Sequence, residues 1–423
     1  MDKFFHKVRL ILADEQLRNR VLFILGALVV FRALAVVPVP GVDAAMLAQF
    51  FSSNQFLGLL NLFSGGGLSN LSIVMLGVGP YITASIIMQL LTVMSPKMKS
   101  MYTEEGDAGR KKFMQYSRLM TLPLATLQAF SFLMLLESQG IVTHLSTVSF
   151  IMNVVVIVAG SMLLMWLGEL VTEFGIGNGV SIIIFSGIVS RIPQLMGQTL
   201  FSFDISQVPL YLAFLVATIA IIAAVVLMTE AERPVPITYA KQVRGGSTYG
   251  GVSTYLPLRM NQAGVIPIIF ALSILLFPQM ILNILSYLKI DGVSSVSAKL
   301  LEFTNNQWLY AGVYFVLVFL FTYFYTAVTF DPDSISKNLQ RNGAFIPGIR
   351  PGAHTSEYIG TVITRLTLVG ALFLGVIAVL PLIMKAITGI VALAVGGTAL
   401  LIVVSVVLDL IRRVDSQISM REY

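Results

Sequence analysis

Apolar residues gather into ten long runs separated by polar stretches. They cover approximately residues 21–37, 73–93, 119–136, 150–168, 180–190, 209–228, 263–285, 309–328, 366–384 and 390–408. A helix needs about 20 mostly apolar residues to cross a bilayer. The fifth run is short and follows Gly175, Gly177 and Gly179. The runs are unbroken, whereas barrel strands alternate. A backbone in hydrocarbon must satisfy its own hydrogen bonds. The pattern therefore predicts an all-α membrane protein with ten transmembrane helices.

Composition agrees. Of 423 residues, 56% are apolar and only 11% charged, and the mean hydropathy is +0.86. A soluble domain carries roughly 25% charged residues, so this chain could not cover a water-facing surface. There is no cysteine, which excludes disulfides, thiol catalysis and thiolate metal sites. The first twenty residues mix apolar and charged positions (Asp14, Glu15, Arg18, Arg20) and do not read as a cleavable signal peptide. Phe4, Val8, Ile11 and Leu12 share one helical face, which predicts a short amphipathic segment on the membrane surface over 1–20.

Charge sets the orientation. With ten spans, 22 Lys and Arg fall in the tails and loops of one side, and only Arg191, Lys289, Lys299 and Lys385 on the other. By the positive-inside rule both termini face the cytoplasm. The modest basic excess is then explained by loops facing cytoplasm and anionic membrane lipids, with no direct nucleic-acid sequence readout. Five runs precede residue 200 and five follow it. Two odd-numbered halves in one chain have inverted topology, a recurring way to build a path between them. The expected units are 1–20, a first half over 21–200, a second half over 201–408, and a cytoplasmic tail over 409–423.

Some segments do not behave as spans. Residues 56–72 read FLGLLNLFSGGGLSNLS, apolar enough to enter the membrane but broken by three glycines. The residues fit a re-entrant half-helix and, equally, an external loop with a helical turn. Two cytoplasmic loops are longer than a connection needs. The first, 229–261, has β-branched and aromatic residues followed by glycine pairs, which predicts a hairpin. The second, 330–365, contains FIPGIRPG, whose Pro-Gly pairs turn the chain tightly on either side of Arg350.

Much familiar chemistry is missing from the sequence. There is no GxxxxGK[ST] loop and no HExxH, so no cofactor, metal or nucleotide site is expected. His6, His144 and His354 all lie outside the spans, which disfavours an intramembrane hydrolase. A secondary transporter for a small solute is the main alternative. It usually carries ionisable residues at mid-membrane, and these spans carry almost none. An apolar constriction that excludes ions by dewetting suits them better.

The stretches PVPGVDAA (38–45), NLFSGGGLS (61–69), PYITASIIMQLL (80–91), MWLGELVTEFGIGNGVSIIIF (165–185), LPLRMNQAGVIPIIFA (256–271), GAFIPGIRPG (343–352) and TRLTLVGALF (364–373) occur in order. Together they resemble the bacterial SecY family, the central subunit of the Sec protein-conducting channel, over essentially the whole chain. The resemblance implies two inverted five-helix halves around a central hourglass pore. It implies a re-entrant plug half-helix over about 59–72, with Asn61, Phe63, Ser64, Gly65, Gly66, Gly67, Leu68 and Asn70. It puts a sealing ring on Val78, Ile82, Val180, Ile184, Ile269 and Ile402, positions that periodicity alone would assign to core or lipid. The family often has isoleucine where this chain has Val78 and Val180.

The same resemblance implies a lateral gate with a polar cluster of Thr83, Gln89, Ser117 and Asn261. It implies docking of the SecA motor ATPase and the ribosome at Lys241, Arg244 and Arg350. Gly246 and Ser247 depart from the basic pair that many members carry in the hairpin. The expected activity is passive conduction of unfolded polypeptides, with no catalytic residue. Expected partners are SecE-type and SecG-type subunits, signal sequences and nascent polypeptides, in the bacterial plasma (inner) membrane.

Overall fold

The structure is a computed structural model. It describes residues 13–40, 67–68, 71–103, 105–138, 140, 146–190, 192–193, 197, 208–239, 242–244, 247–249, 253–287, 306–388 and 396–419. The helices are α1 (Glu15–Val36), α2 (Gly79–Met94), α3 (Pro96–Thr103), α4 (Gly106–Ser138), α5 (Thr147–Phe174), α6 (Gly179–Val189), α7 (Val208–Glu230), α8 (Ile266–Tyr287), α9 (Gln307–Thr329), α10 (Pro332–Arg341), α11 (Ala353–Thr388) and α12 (Gly396–Ser419). Each of the ten apolar runs has its helix, and α3 and α10 lie in the intervening polar stretches. Among the described residues six helices are long and apolar enough to cross a membrane, and three shorter helices are apolar. The chain is a multi-pass membrane protein. Its exposed apolar side chains follow from that: Leu22, Val29 and Val36 on α1 are 57%, 68% and 70% exposed, which lipid solvates and water would not.

Helix ends depart from the apolar runs in a regular way. The third and ninth runs sit inside α4, which starts at Gly106, and α11, which starts at Ala353. At 1.5 Å per residue the 36 residues of α11 extend about 54 Å, well past the roughly 30 Å of hydrocarbon. An apolar run measures the membrane slab, whereas a helix continues into water until something stops it. Likewise α12 runs on to Ser419 through the expected tail, and residues 389–395, where the tenth run began, lie outside the described residues.

The second run is a correction. Its helix begins only at Gly79, and residues 71–78 form successive turns. Gly77 at φ 59° and Pro80 in the first helical turn explain the late start. The turns close through short-range bonds such as Met75 N to Ser72 O (2.9 Å) and Gly77 N to Val74 O (2.8 Å). A wall helix completes the set: Ser161 Oγ on α5 donates to the Gly77 carbonyl at 3.0 Å. A Cβ on Gly160 would strike the Ile73 carbonyl, so only glycine lets α5 lie against this irregular backbone.

Around this wall α4 packs on α2 and α5, α1 on α5, and α6 on α5. The α5–α6 turn is glycine on glycine: a Cβ on Gly179 would meet the Gly168 carbonyl. In the second half α9 packs on α8 and α11, and α12 on α7 and α11. The two halves meet along two seams, α6 with α12 and α8 with α4 and α2.

We predict that Gly160→Val destabilises the protein by about 1–3 kcal/mol, the usual cost of overpacking. Thermal unfolding in detergent checks this, and an unchanged midpoint contradicts the close packing of α5 on residues 73–74.

Candidate functional site

The sealing-ring positions come from three places in the fold. Val78 caps the start of α2, Ile184 lies on α6 and Ile402 on α12, and they are 1%, 4% and 3% exposed. All three belong to one buried apolar cluster that also takes in α5, α8, α9 and α11. Ile82 and Val180 pack against it. Val180 also touches α5, where a Cβ on Gly168 would lie 3.1 Å from its Cγ2. Ile269 is half-buried on α8 and is not among these residues, although its neighbour Ile268 is.

On one side of the cluster, the N-terminal ends of α6 and α8 and the middle of α12 line a cavity of about 410 Å³ with mixed polar and apolar walls. Asn178, Ser181, Asn261, Gln262, Ser405 and Arg413 contribute to its wall. Asn178 caps α6 by accepting from Ser181 N at 3.2 Å. Ser405 and Ile402 are three residues apart on α12, as are Ser181 and Ile184 on α6, so polar wall and apolar closure are separated by one helical turn.

Of the plug positions, Asn61, Phe63, Ser64, Gly65, Gly66 and Asn70 lie outside the described residues. Gly67 and Leu68 are described. The Gly67 carbonyl accepts from Ser72 N at 2.9 Å and from Ser72 Oγ at 3.2 Å. Leu68 is fully buried with Leu71, Met75 and the inner faces of α4 and α5. This segment is tied to the end of α1 by Val39 N to Leu71 O (2.7 Å) and Ile73 N to Val37 O (3.0 Å).

The gate positions lie on or beside the second seam. Thr83 and Gln89 are on α2, Ser117 is on α4, and Asn261 precedes α8. The hydroxyls turn back to their own helices: Thr83 Oγ1 donates to Gly79 O (3.0 Å) and Ser117 Oγ to Phe113 O (3.2 Å). Such back-bonding needs no neighbour. Gln89 Oε1 and Asn261 Oδ1 have no hydrogen-bond partner among the described residues. No described hydrogen bond joins two of these four side chains.

The two long loops fold together, which separate readings of each loop missed. Strand β1 (Glu232–Tyr239) pairs antiparallel with β4 (Ser253–Arg259), the predicted hairpin, and also with β5 (Ala344–Phe345) from the second loop. The short strands β2 (Gln242–Arg244) and β3 (Ser247–Tyr249) pair at the tip. The alternation PVPIT was the signal for β1, and two residues of β5 are too short to show a period. Beneath the sheet Val235, Leu258 and Ile346 bury against Ile359, Val362, Ile363 and Leu366 of α11.

Arg350 is exposed on a braced turn. Thr355 Oγ1 donates to the Arg350 carbonyl (2.9 Å), Ser336 Oγ to Gly352 O (2.6 Å), and Gly348 and Gly352 have φ of 83° and 100°. Arg244 ends β2, and Lys241 lies outside the described residues. No group of three or more His, Cys, Asp or Glu suited to a metal occurs among the described residues.

The architecture is that of a membrane-embedded helical channel. A solved structure described as a protein conducting channel matches with a TM-score of 0.65 at 18% identity, over 94% of this chain and 91% of that one. A second, concerned with the plug domain of the SecY protein, matches with 0.65 at 19% over the same shares. These likenesses concern the fold. In sequence, the SecY family profile matches residues 72–411. The protein translocase subunit SecY of Vibrio cholerae is 42% identical over 419 residues, 97% of this chain and 93% of that protein. Those of Mycobacterium bovis and Escherichia coli are each 41% identical, covering 97% of both chains and 96% and 93% respectively. The chain belongs to the SecY family.

We predict that Ile359→Ala, which empties the layer under β1, loosens the loop sheet by about 2–5 kcal/mol. Limited proteolysis between residues 232 and 259 should accelerate, and unchanged cleavage would contradict the packing.

Proposed function

We propose that this chain is the pore-forming subunit of a protein-conducting channel in the bacterial plasma membrane. Both termini face the cytoplasm. Unfolded polypeptides cross through it, and membrane segments leave sideways into lipid. One observation carries the reading: a cavity with mixed polar and apolar walls, between the N-terminal ends of α6 and α8 and the middle of α12, stops one helical turn further in against an apolar cluster containing Val78, Ile184 and Ile402. Such an arrangement admits water and chain to the seal and offers ions no charged side chain beyond it.

The proposed seal is Val78, Ile82, Val180, Ile184, Ile269 and Ile402, backed by the segment 59–72 as plug. The proposed side exit is the α2/α4–α8 seam. With no described hydrogen bond between Thr83, Gln89, Ser117 and Asn261, its closure rests on apolar packing that an inserted apolar signal sequence can replace. Work comes from outside, from the SecA ATPase or the translating ribosome, and no residue is catalytic. The braced Arg350 turn and the sheet joining both loops are the proposed docking surface, with Lys241 and Arg244 at the hairpin. SecE-type and SecG-type subunits complete the complex, and no cofactor takes part. The halves over 21–200 and 201–408 move relative to each other along the two seams.

The test is reconstitution with a SecE-type subunit in proteoliposomes, adding SecA, ATP and an unfolded secretory protein. Wild type should render the client protease-protected. Arg350→Glu should lower that yield at least tenfold while leaving assembly of the complex intact. Absence of protection with wild type contradicts the channel, and normal export by Arg350→Glu contradicts the docking assignment.

A further inference from the structure

We infer that the pocket beneath α3 is a methionine-oxidation site, and that its oxidation loosens the α2–α4 wall of the side exit. The consequence for the exit rests on the conduit reading. A cavity of about 480 Å³ opens where α2, α3 and α4 meet. Four methionines line it: Met88 of α2, Met98 and Met101 of α3, and Met120 of α4. Lys97 and Tyr116, both exposed, supply the polar side chains of the lining. The chain has 19 methionines and no cysteine, so all its sulfur is thioether. Susceptibility to oxidation follows exposure. Met75, Met134 and Met165 are buried among the helices, whereas Met98 and Met101 are half-buried and Met120 is exposed. Helix α3 lies in a polar stretch beyond the second apolar run, with Lys97 and Lys99 exposed on it, so an oxidant dissolved in water reaches the pocket.

The chemistry is a two-electron step. Hydrogen peroxide transfers one oxygen atom to a thioether sulfur, the sulfur gives up two electrons, and the O–O bond breaks to leave water. The sulfoxide is polar, and methionine sulfoxide reductases return it to thioether. Its oxygen is an acceptor in a pocket whose side-chain donors stand only at Lys97 and Tyr116. A buried acceptor without a donor is costly, so the oxidised side chains turn outward and α3 loses its inner contacts. Two other contacts of α3 are local. The Tyr102 ring lies 4.9 Å from that of Phe113, and Gly109 has no Cβ to strike the Met101 carbonyl. Met88 directly precedes Gln89, and Met120 follows Ser117 by three residues. Packing lost here therefore reaches both α2 and α4 beside the gate positions.

The test treats the complex, reconstituted with a SecE-type subunit, with hydrogen peroxide, quenches it, and then adds untreated SecA, ATP and an unfolded secretory protein. Peptide mass spectrometry maps the sulfoxides. In wild type, Met98, Met101 and Met120 should be oxidised, and transport should fall by about fivefold, the scale on which one lost contact shifts an equilibrium. Methionine sulfoxide reductases should restore it, a readout that needs no variant. A chain with Met98→Leu, Met101→Leu and Met120→Leu keeps the pocket volume and should keep its transport after treatment, while the exposed Met94 and Met114 still oxidise. Thioethers intact at the three positions when Met94 is oxidised, or equal losses in wild type and the variant, would overturn the inference. Untreated wild type that transports nothing would instead contradict the conduit reading, and the sulfoxide map would still decide the site.

Discussion

Every main-chain polar group at membrane depth must find its partner inside the protein, and the rest of this structure depends on that constraint. It makes the ten apolar runs helical. It also makes the exception informative, because residues 71–78 are not helical. Their carbonyls and amides are met by tight turns, by Ser161 on α5, and by the strand-like contact between Pro38 and Ser72. The wall helix accordingly carries glycine at 160 and serine at 161, where lipid-facing positions such as Ile151 and Val155 are large and exposed. An irregular backbone held this way delivers Val78 to the central cluster at the point where α2 starts.

The same constraint sorts the polar side chains. Within the spans, hydroxyls bond back to their own helices, as Thr322 and Thr326 do on α9 at 2.7 and 2.8 Å. Several charges meet in pairs. Arg118 on α4 meets Glu169 on α5 at 2.6 Å, and Arg412 joins α12 to the last residue of α7. Pairs this exposed contribute little stability each. They do leave the central cluster free of Asp, Glu, Lys, Arg and His side chains.

Much of this was legible in the sequence. Each apolar run coincides with a helix among the described residues, and the β-branched stretch before the glycine pairs located the hairpin. Family motifs singled out Val78, Ile184 and Ile402, which periodicity could not separate from ordinary core. Hydropathy did not show that the second run breaks, although Gly77 and Pro80 were there to be read. It could not show that strands more than a hundred residues apart pair through Thr238 with Phe345 and Tyr239 with Ala344. Nor could it show that Thr83 and Ser117 bond within their helices, because residue type reveals a hydroxyl but not its direction.

The central claim is that polypeptide passes where the apolar cluster now closes. The chain has no cysteine, so single cysteines introduced as Ile82→Cys or Ile402→Cys are unambiguous reporters. A secretory chain stalled in transit and carrying one cysteine should form a disulfide at both positions when SecA or the ribosome is engaged, and at neither without it. A stalled, engaged chain that labels neither position would contradict the account.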